Sequence, residues 1–173
     1  ARFGMIDSLP EWRPLENPPN KFLKIAIVVH GRFYAFDLSR ELIKQGHQVT
    51  LFTNFPKAFA ERYQVPRQHV RSFLLHGIVG RLAWELSQRL GLPYPEAWLY
   101  RWYGRWAVKQ LLKESWDVVH IWSGFCEEPF QVFRSVRPDT LLVCHRDSTH
   151  IQTQYDLLNE EKRRTGYSLA LPS

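Results

Sequence analysis

The chain has 173 residues, a net charge of +6 and 45% hydrophobic residues. That is enough to bury roughly two-thirds of the unfolded surface in one globular unit, and the recurring aromatic and branched residues exclude a disordered chain. No apolar run reaches the roughly 20 residues of a membrane span, and the basic balance favours anionic partners such as nucleotide phosphates, lipid headgroups or nucleic acid.

Residues 1–21 read as an extended N-terminal arm, because "DSLPEWRPLENPPN" is rich in Pro, Asn and acids. Ala1–Gly4, ahead of the only methionine, Met5, fit a tag remnant before a native start. From Phe22 the pattern changes. "FLKIAIVV" is a continuous branched apolar run, as expected of a strand buried on both faces. "HGRFY" is the exit loop. "AFDLSRELIKQGH" has helical apolar spacing, with Gly46 as its stop, and "QVTLFTN" is the next strand. Together these predict a right-handed βαβ unit with parallel strands.

Further along, "KAFAERYQV" predicts a short helix and "HVRSFLLHG" a third strand. "IVGRLAWELSQRL" and "PEAWLYRWYGRWAVKQLLKES" predict helices, and "WDVVHIW" a fourth strand. "CEEPFQVFRSV" predicts a helix that begins late, near Pro129, and "TLLVC" a fifth strand. "STHIQTQYDLLNEEKRR" predicts a helix with Thr149 as N-cap and Gln152 completing a capping box. The repeated alternation is that of an α/β domain with an open, doubly wound, mostly parallel sheet over residues 22–173.

In such sheets ligands collect outside the carboxyl ends of the strands, where loops and helix N-termini converge. That rule selects His30, Gly31 and Arg32 after the first strand, Asn54 after the second, His120, Ser123 and Gly124 near the fourth, and His145, Arg146 and Asp147 after the fifth. His30 and Gly31 form either a simple tight turn or an imidazole and backbone N–H facing a sugar or phosphate. His120 is either a hydrogen-bonded residue of the strand or part of the cleft. His145 and Arg146 suit stabilisation of developing negative charge beside a helix N-terminus, and His150 in the first helical turn reaches either a ligand hydroxyl or solvent. His47 is expected to cap a helix end, and His69 and His76 to sit on the surface or in loops.

Metal chemistry is disfavoured: Cys144, His145 and His150 lack a second Cys/His pair at ligand spacing. A dinucleotide site is disfavoured too, since "HGRFYAF" has one glycine where close pyrophosphate approach needs several. Cys126 and Cys144 form no CxxC motif and read as free thiols in a reducing compartment. Between residues 96 and 113, Trp98, Trp102 and Trp106 share a helix side with Arg101, Arg105, Lys109 and Lys113. Two readings of that face stand: contact with an anionic membrane interface, or packing among helices with arginine stems on indole rings.

Three ordered motifs resemble one family. "KIAIVVHGRFYAFDLSRELIKQGHQVTLFTN" is similar to the opening of GT-B glycosyltransferases of the group 1 type (family 4). "WDVVHIWSGFCEEPF" resembles their "DVVH…SG" segment, and "CHRDSTHIQTQYDLLNEE" a subgroup pattern "RGSSHI..Q..LL.EE". "SLALPS" resembles the strand before their interdomain step. The resemblance implies the Rossmann-like N-terminal, acceptor-side half of a GT-B fold, with a C-terminal donor-binding domain expected beyond it and no turnover by the half alone.

It further implies a retaining glycosyltransferase. A sugar would move from a nucleotide-sugar donor, a substrate rather than a bound cofactor, to a glycolipid or polysaccharide acceptor, in the cytoplasm or at the inner membrane face. On the matching positions it implies catalytic roles for His145, His150 and Arg146, and substrate binding by His30, Gly31, Arg32, His120, Ser123 and Gly124. Asp147 stands where the subgroup usually has glycine, and its side chain prevents a close backbone approach there. The rival classes are a GT-B-type sugar epimerase and a basic non-enzymatic module for anionic lipid or nucleic acid; the transferase reading expects no nucleic-acid partner.

Overall fold

The computed structural model describes residues 22–146 and 151–167. Five strands form one parallel sheet: β1 (Lys24–Val29), β2 (Gln48–Thr53), β3 (Val70–Ser72), β4 (Val118–Trp122) and β5 (Leu141–His145), in the order β3-β2-β1-β4-β5. The register sets Val28 beside Phe52 on one side and beside Ile121 on the other. β1 is thus the central strand, and Ile25–Val29 are buried on both faces. This is why that stretch is apolar without alternation. The chain winds outward through β2 and β3, then returns to the other side of β1 for β4 and β5. The reversal falls between β1 and β4.

The helices are α1 (Ala35–Lys44), α2 (Lys57–Glu61), α3 (Leu74–Leu90), α4 (Glu96–Leu111), α5 (Glu127–Val136) and α6 (Ile151–Thr165). α1 stops at Gly46, whose φ of +90° ends the helix without a Cβ penalty. His47 does the structural job expected of it: its backbone N–H donates to the Leu42 carbonyl, and its Nδ1 accepts from the Leu23 N–H at 3.2 Å. The core is formed by β1, β2 and β4 with Phe36, Tyr103, Leu111, Trp116 and Phe133 from the surrounding elements.

Three of the boundaries that differ from the sequence expectation bear on the site. β3 ends at Ser72, and the "LLHG" that follows begins α3 instead. Packing explains it: a Cβ at Gly77 would lie 2.5 Å from the Asn54 carbonyl oxygen, so the first turns of α3 press on the backbone just beyond β2. α5 begins at Glu127, with Pro129 inside its first turn. The N–H groups of a first turn have no partner within the helix, so a proline costs no hydrogen bond there. β5 runs one residue further than expected and includes His145. Residues 1–21, the proposed cap Thr149 and the "SLALPS" segment lie outside the described residues.

Candidate functional site

The carboxyl ends of β1 and β4 carry the chain into two turns that face each other. After β1, Gly31 adopts φ +95° and Phe33 φ +40°. The Gly31 N–H donates to the Asn54 Oδ1 at 2.8 Å, and the Thr53 hydroxyl donates to the Gly31 carbonyl at 3.2 Å. The exit loop of β1 is therefore fastened to the end of β2, and the N–H expected to face a ligand is already engaged. After β4, a 3-10 turn over Ser123–Phe125 leads into α5. A Cβ at Gly124 would lie 3.2 Å from the Tyr100 ring, so glycine lets this turn sit close against α4.

Between these turns lies a hollow of about 320 Å³. His30, Ser123, Gly124 and Arg146 supply its polar lining, and Phe33, Tyr100, Trp122 and Phe125 its aromatic walls. It occupies the reversal point of the sheet at the carboxyl edge, where an open α/β sheet offers its crevice. A hollow of about 540 Å³ opens at the opposite edge, lined in part by Trp116, Asp117 and Arg137. It faces the amino ends of the strands, away from the convergence of loops and helix N-termini, and we assign it no role.

The His30 imidazole is held by rings. Tyr100 and Tyr103 meet it at centroid distances of 5.4 and 5.7 Å, and His76 at 5.1 Å. Burial, and secondarily the nearby His76, push the His30 pKa down to about 4. At neutral pH this ring is uncharged, with one nitrogen to donate and one to accept. Tyr103 is buried, and its hydroxyl lies 2.8 Å from the Val29 carbonyl and 3.0 Å from that of Phe52, tying α4 to the ends of β1 and β2.

His145 sits one layer away. Its ring meets the Tyr34 hydroxyl in a hydrogen bond and packs on Trp122 at 4.7 Å and on His120 at 5.3 Å. The His120 Nδ1 is buried without a hydrogen-bond partner, and burial lowers that ring's pKa. Arg32 turns aside, its guanidinium 4.4 Å above the Tyr63 ring. Of the sequence-selected residues, His30, Ser123, Gly124 and Arg146 meet in the hollow. His120 and His145 form an adjoining cluster behind Trp122. Gly31 shapes the exit turn, Arg32 stacks on α2's flank, and His150 and Asp147 lie outside the described residues.

Sequence reasoning missed His76. It was expected on the surface, yet it is fully buried, with its Nε2 3.0 Å from the Leu99 carbonyl and its Nδ1 without a partner. The error follows from the boundary of β3: a residue read as the end of a strand is in fact on the inner face of α3. The aromatic lining from Tyr100 and Phe125 was missed as well, because only tertiary packing brings α4 over the β4 exit.

Among the described residues, no group of three or more His, Cys, Asp or Glu is placed to hold a metal ion. None of their helices is long and apolar enough to cross a membrane.

A five-stranded parallel sheet with a lined crevice at its reversal point defines a Rossmann-like α/β domain. The family model described as Glycosyltransferase Family 4 matches residues 32–150, and the chain belongs to that family. The match spans most of the first resembling motif, all of the second and the start of the third. No curated protein and no solved structure matches the chain.

Proposed function

We propose that this chain supplies the acceptor side of a retaining, nucleotide-sugar-dependent glycosyltransferase, with a glycolipid or polysaccharide precursor as acceptor. The observation that carries the reading is the meeting of His30, Ser123, Gly124 and Arg146 around one hollow at the reversal point of the sheet, in a chain of glycosyltransferase family 4. Sugar transfer needs hydrogen-bonding groups that hold hydroxyls, and a cation where negative charge develops on the departing diphosphate. The neutral His30 ring and the Ser123 hydroxyl suit the first task, and the Arg146 guanidinium suits the second. The aromatic walls offer apolar faces to a sugar ring.

In this reading the acceptor hydroxyl attacks the anomeric carbon while the bond to the diphosphate breaks, and the departing phosphate oxygen accepts the acceptor's proton. No histidine is then required as a base. His145, tied to Tyr34 and packed on Trp122, acts by fixing the wall that carries Arg146. A donor-binding domain closes the open side of the hollow and places both substrates in near-attack geometry, so the described half alone turns nothing over.

Peripheral contact with an anionic membrane belongs to the same proposal. Along α4, Trp98 is 55% exposed beside exposed Arg101 and Arg105, whereas Trp102 and Trp106 pack half-buried on Phe73. α3 adds an outward row of Leu75, Ile78, Leu82, Leu86 and Leu90, each more than half exposed. Apolar side chains flanked by cations suit the boundary between headgroups and acyl chains. The test is incubation of the full-length protein with nucleotide sugars and lipid-linked acceptors, following release of nucleoside diphosphate. Release that depends on acceptor and fails in Arg146→Ala supports the reading. Release indifferent to acceptor and to Arg146 refutes it.

A further inference from the structure

We propose that Cys126 and Cys144 form a dithiol modification site that closes into an internal disulfide when a low-molecular-weight disulfide reacts with it. The two sulfurs stand 3.6 Å apart, and both are free thiols. Cys126 is the N-cap residue of α5, half-buried, with its thiol 3.3 Å from the Ser123 carbonyl. Cys144 is exposed on β5, in register with Ile121 of β4. A bond of about 2 Å requires an approach of roughly 1.5 Å, within reach of side-chain rotation. They are the 2 cysteines of this sequence.

Exposure assigns the order of events. The Cys144 thiolate attacks one sulfur of the small disulfide RSSR, forming a mixed disulfide and releasing one thiolate RS⁻. The Cys126 sulfur then attacks the Cys144 sulfur, forming the internal bond and releasing the second RS⁻. The two protons lost by the protein thiols end on the two RSH products, and RSSR is reduced as the protein is oxidised. Burial pushes the Cys126 thiol up to about 11. This makes it a poor first nucleophile and leaves it as the resolving partner once Cys144 holds a leaving group beside it.

The consequence reaches the hollow. Cys126 directly follows the Ser123–Phe125 turn, and Cys144 lies two residues before Arg146, so the bond would staple the β4 exit turn of the hollow to the strand end that carries Arg146. That effect is independent of which sugar or acceptor the hollow holds.

The experiment uses the full-length protein, reduced, freed of reductant and then exposed to glutathione disulfide. Intact mass, peptide mapping and a non-reducing gel identify the product. The expected wild-type product is a monomer with a Cys126–Cys144 crosslinked peptide two hydrogens lighter than the reduced pair, no glutathione adduct on either cysteine and full reversal by dithiothreitol. Cys126→Ser should instead keep a stable glutathione adduct on Cys144. Hydrogen exchange at Ser123–Phe125 should slow on oxidation of the wild type alone. Stable adducts on Cys126 or Cys144, or dimers linked through either, in the wild type would overturn the dithiol site, and a crosslink without slowed exchange would overturn its link to the hollow. Neither readout needs transferase activity, so failure here is distinct from failure of the proposed function.

Discussion

His76 packs edge-on against His30, ring centroids 5.1 Å apart, and so joins the inner face of α3 to the carboxyl end of β1. Burial lowers the pKa of both rings, that of His30 to about 4. In the unfolded chain each titrates near 6.5. Between those values the unfolded state binds protons that the folded state refuses, so stability is complete above pH 6.5 and declines as pH falls towards 4. For His30 the loss amounts to about 3 kcal/mol. Denaturant midpoints measured between pH 4 and pH 7 should show this decline, and His30→Asn should flatten it. A midpoint that rises on acidification over that range contradicts the buried neutral pair.

Gly77 lies under a tighter constraint than helix propensity suggests. Its missing Cβ leaves room for the Asn54 carbonyl, which would stand 2.5 Å from an alanine methyl and is backbone that cannot swing aside. Gly77→Ala should destabilise the chain by about 1–3 kcal/mol, although alanine normally favours a helix. Equilibrium unfolding in urea decides the matter.

Tyr103→Phe removes the hydroxyl that reaches the Val29 and Phe52 carbonyls. These acceptors are buried, so the expected cost is about 1–2 kcal/mol, with the fold unchanged by circular dichroism.

On the proposed reading, Arg146→Ala should lower the kcat/KM of sugar transfer by roughly a hundredfold, as expected for loss of a charge that would stabilise a departing diphosphate. Arg32→Ala should have a far smaller effect, because Arg32 stacks on Tyr63 away from the hollow. Equal losses in both variants would remove the distinction drawn between the two arginines.

Sedimentation with vesicles tests the α3 row. Ile78→Glu with Leu82→Glu should weaken binding to anionic vesicles by about tenfold. Both residues are more than half exposed, so the folded chain should keep its stability.

The sequence by itself determined the order of strands and helices and the buried centre of the sheet. A continuous apolar run such as Ile25–Val29 has few alternatives to a central parallel strand, and a glycine such as Gly46 marks its helix end through backbone freedom. It also selected His30, Ser123, Gly124 and Arg146, because position after a strand is a property of chain order. Tertiary structure alone decided which of the candidates meet. His145 and Arg146 are neighbours in the chain, yet one packs behind Trp122 while the other lines the hollow. The burial of His76 likewise depends on α3 pressing against Asn54. Periodicity describes a residue's face on its own element. The contacts that set its charge and partners come from other elements, distant in sequence, and only packing assembles them.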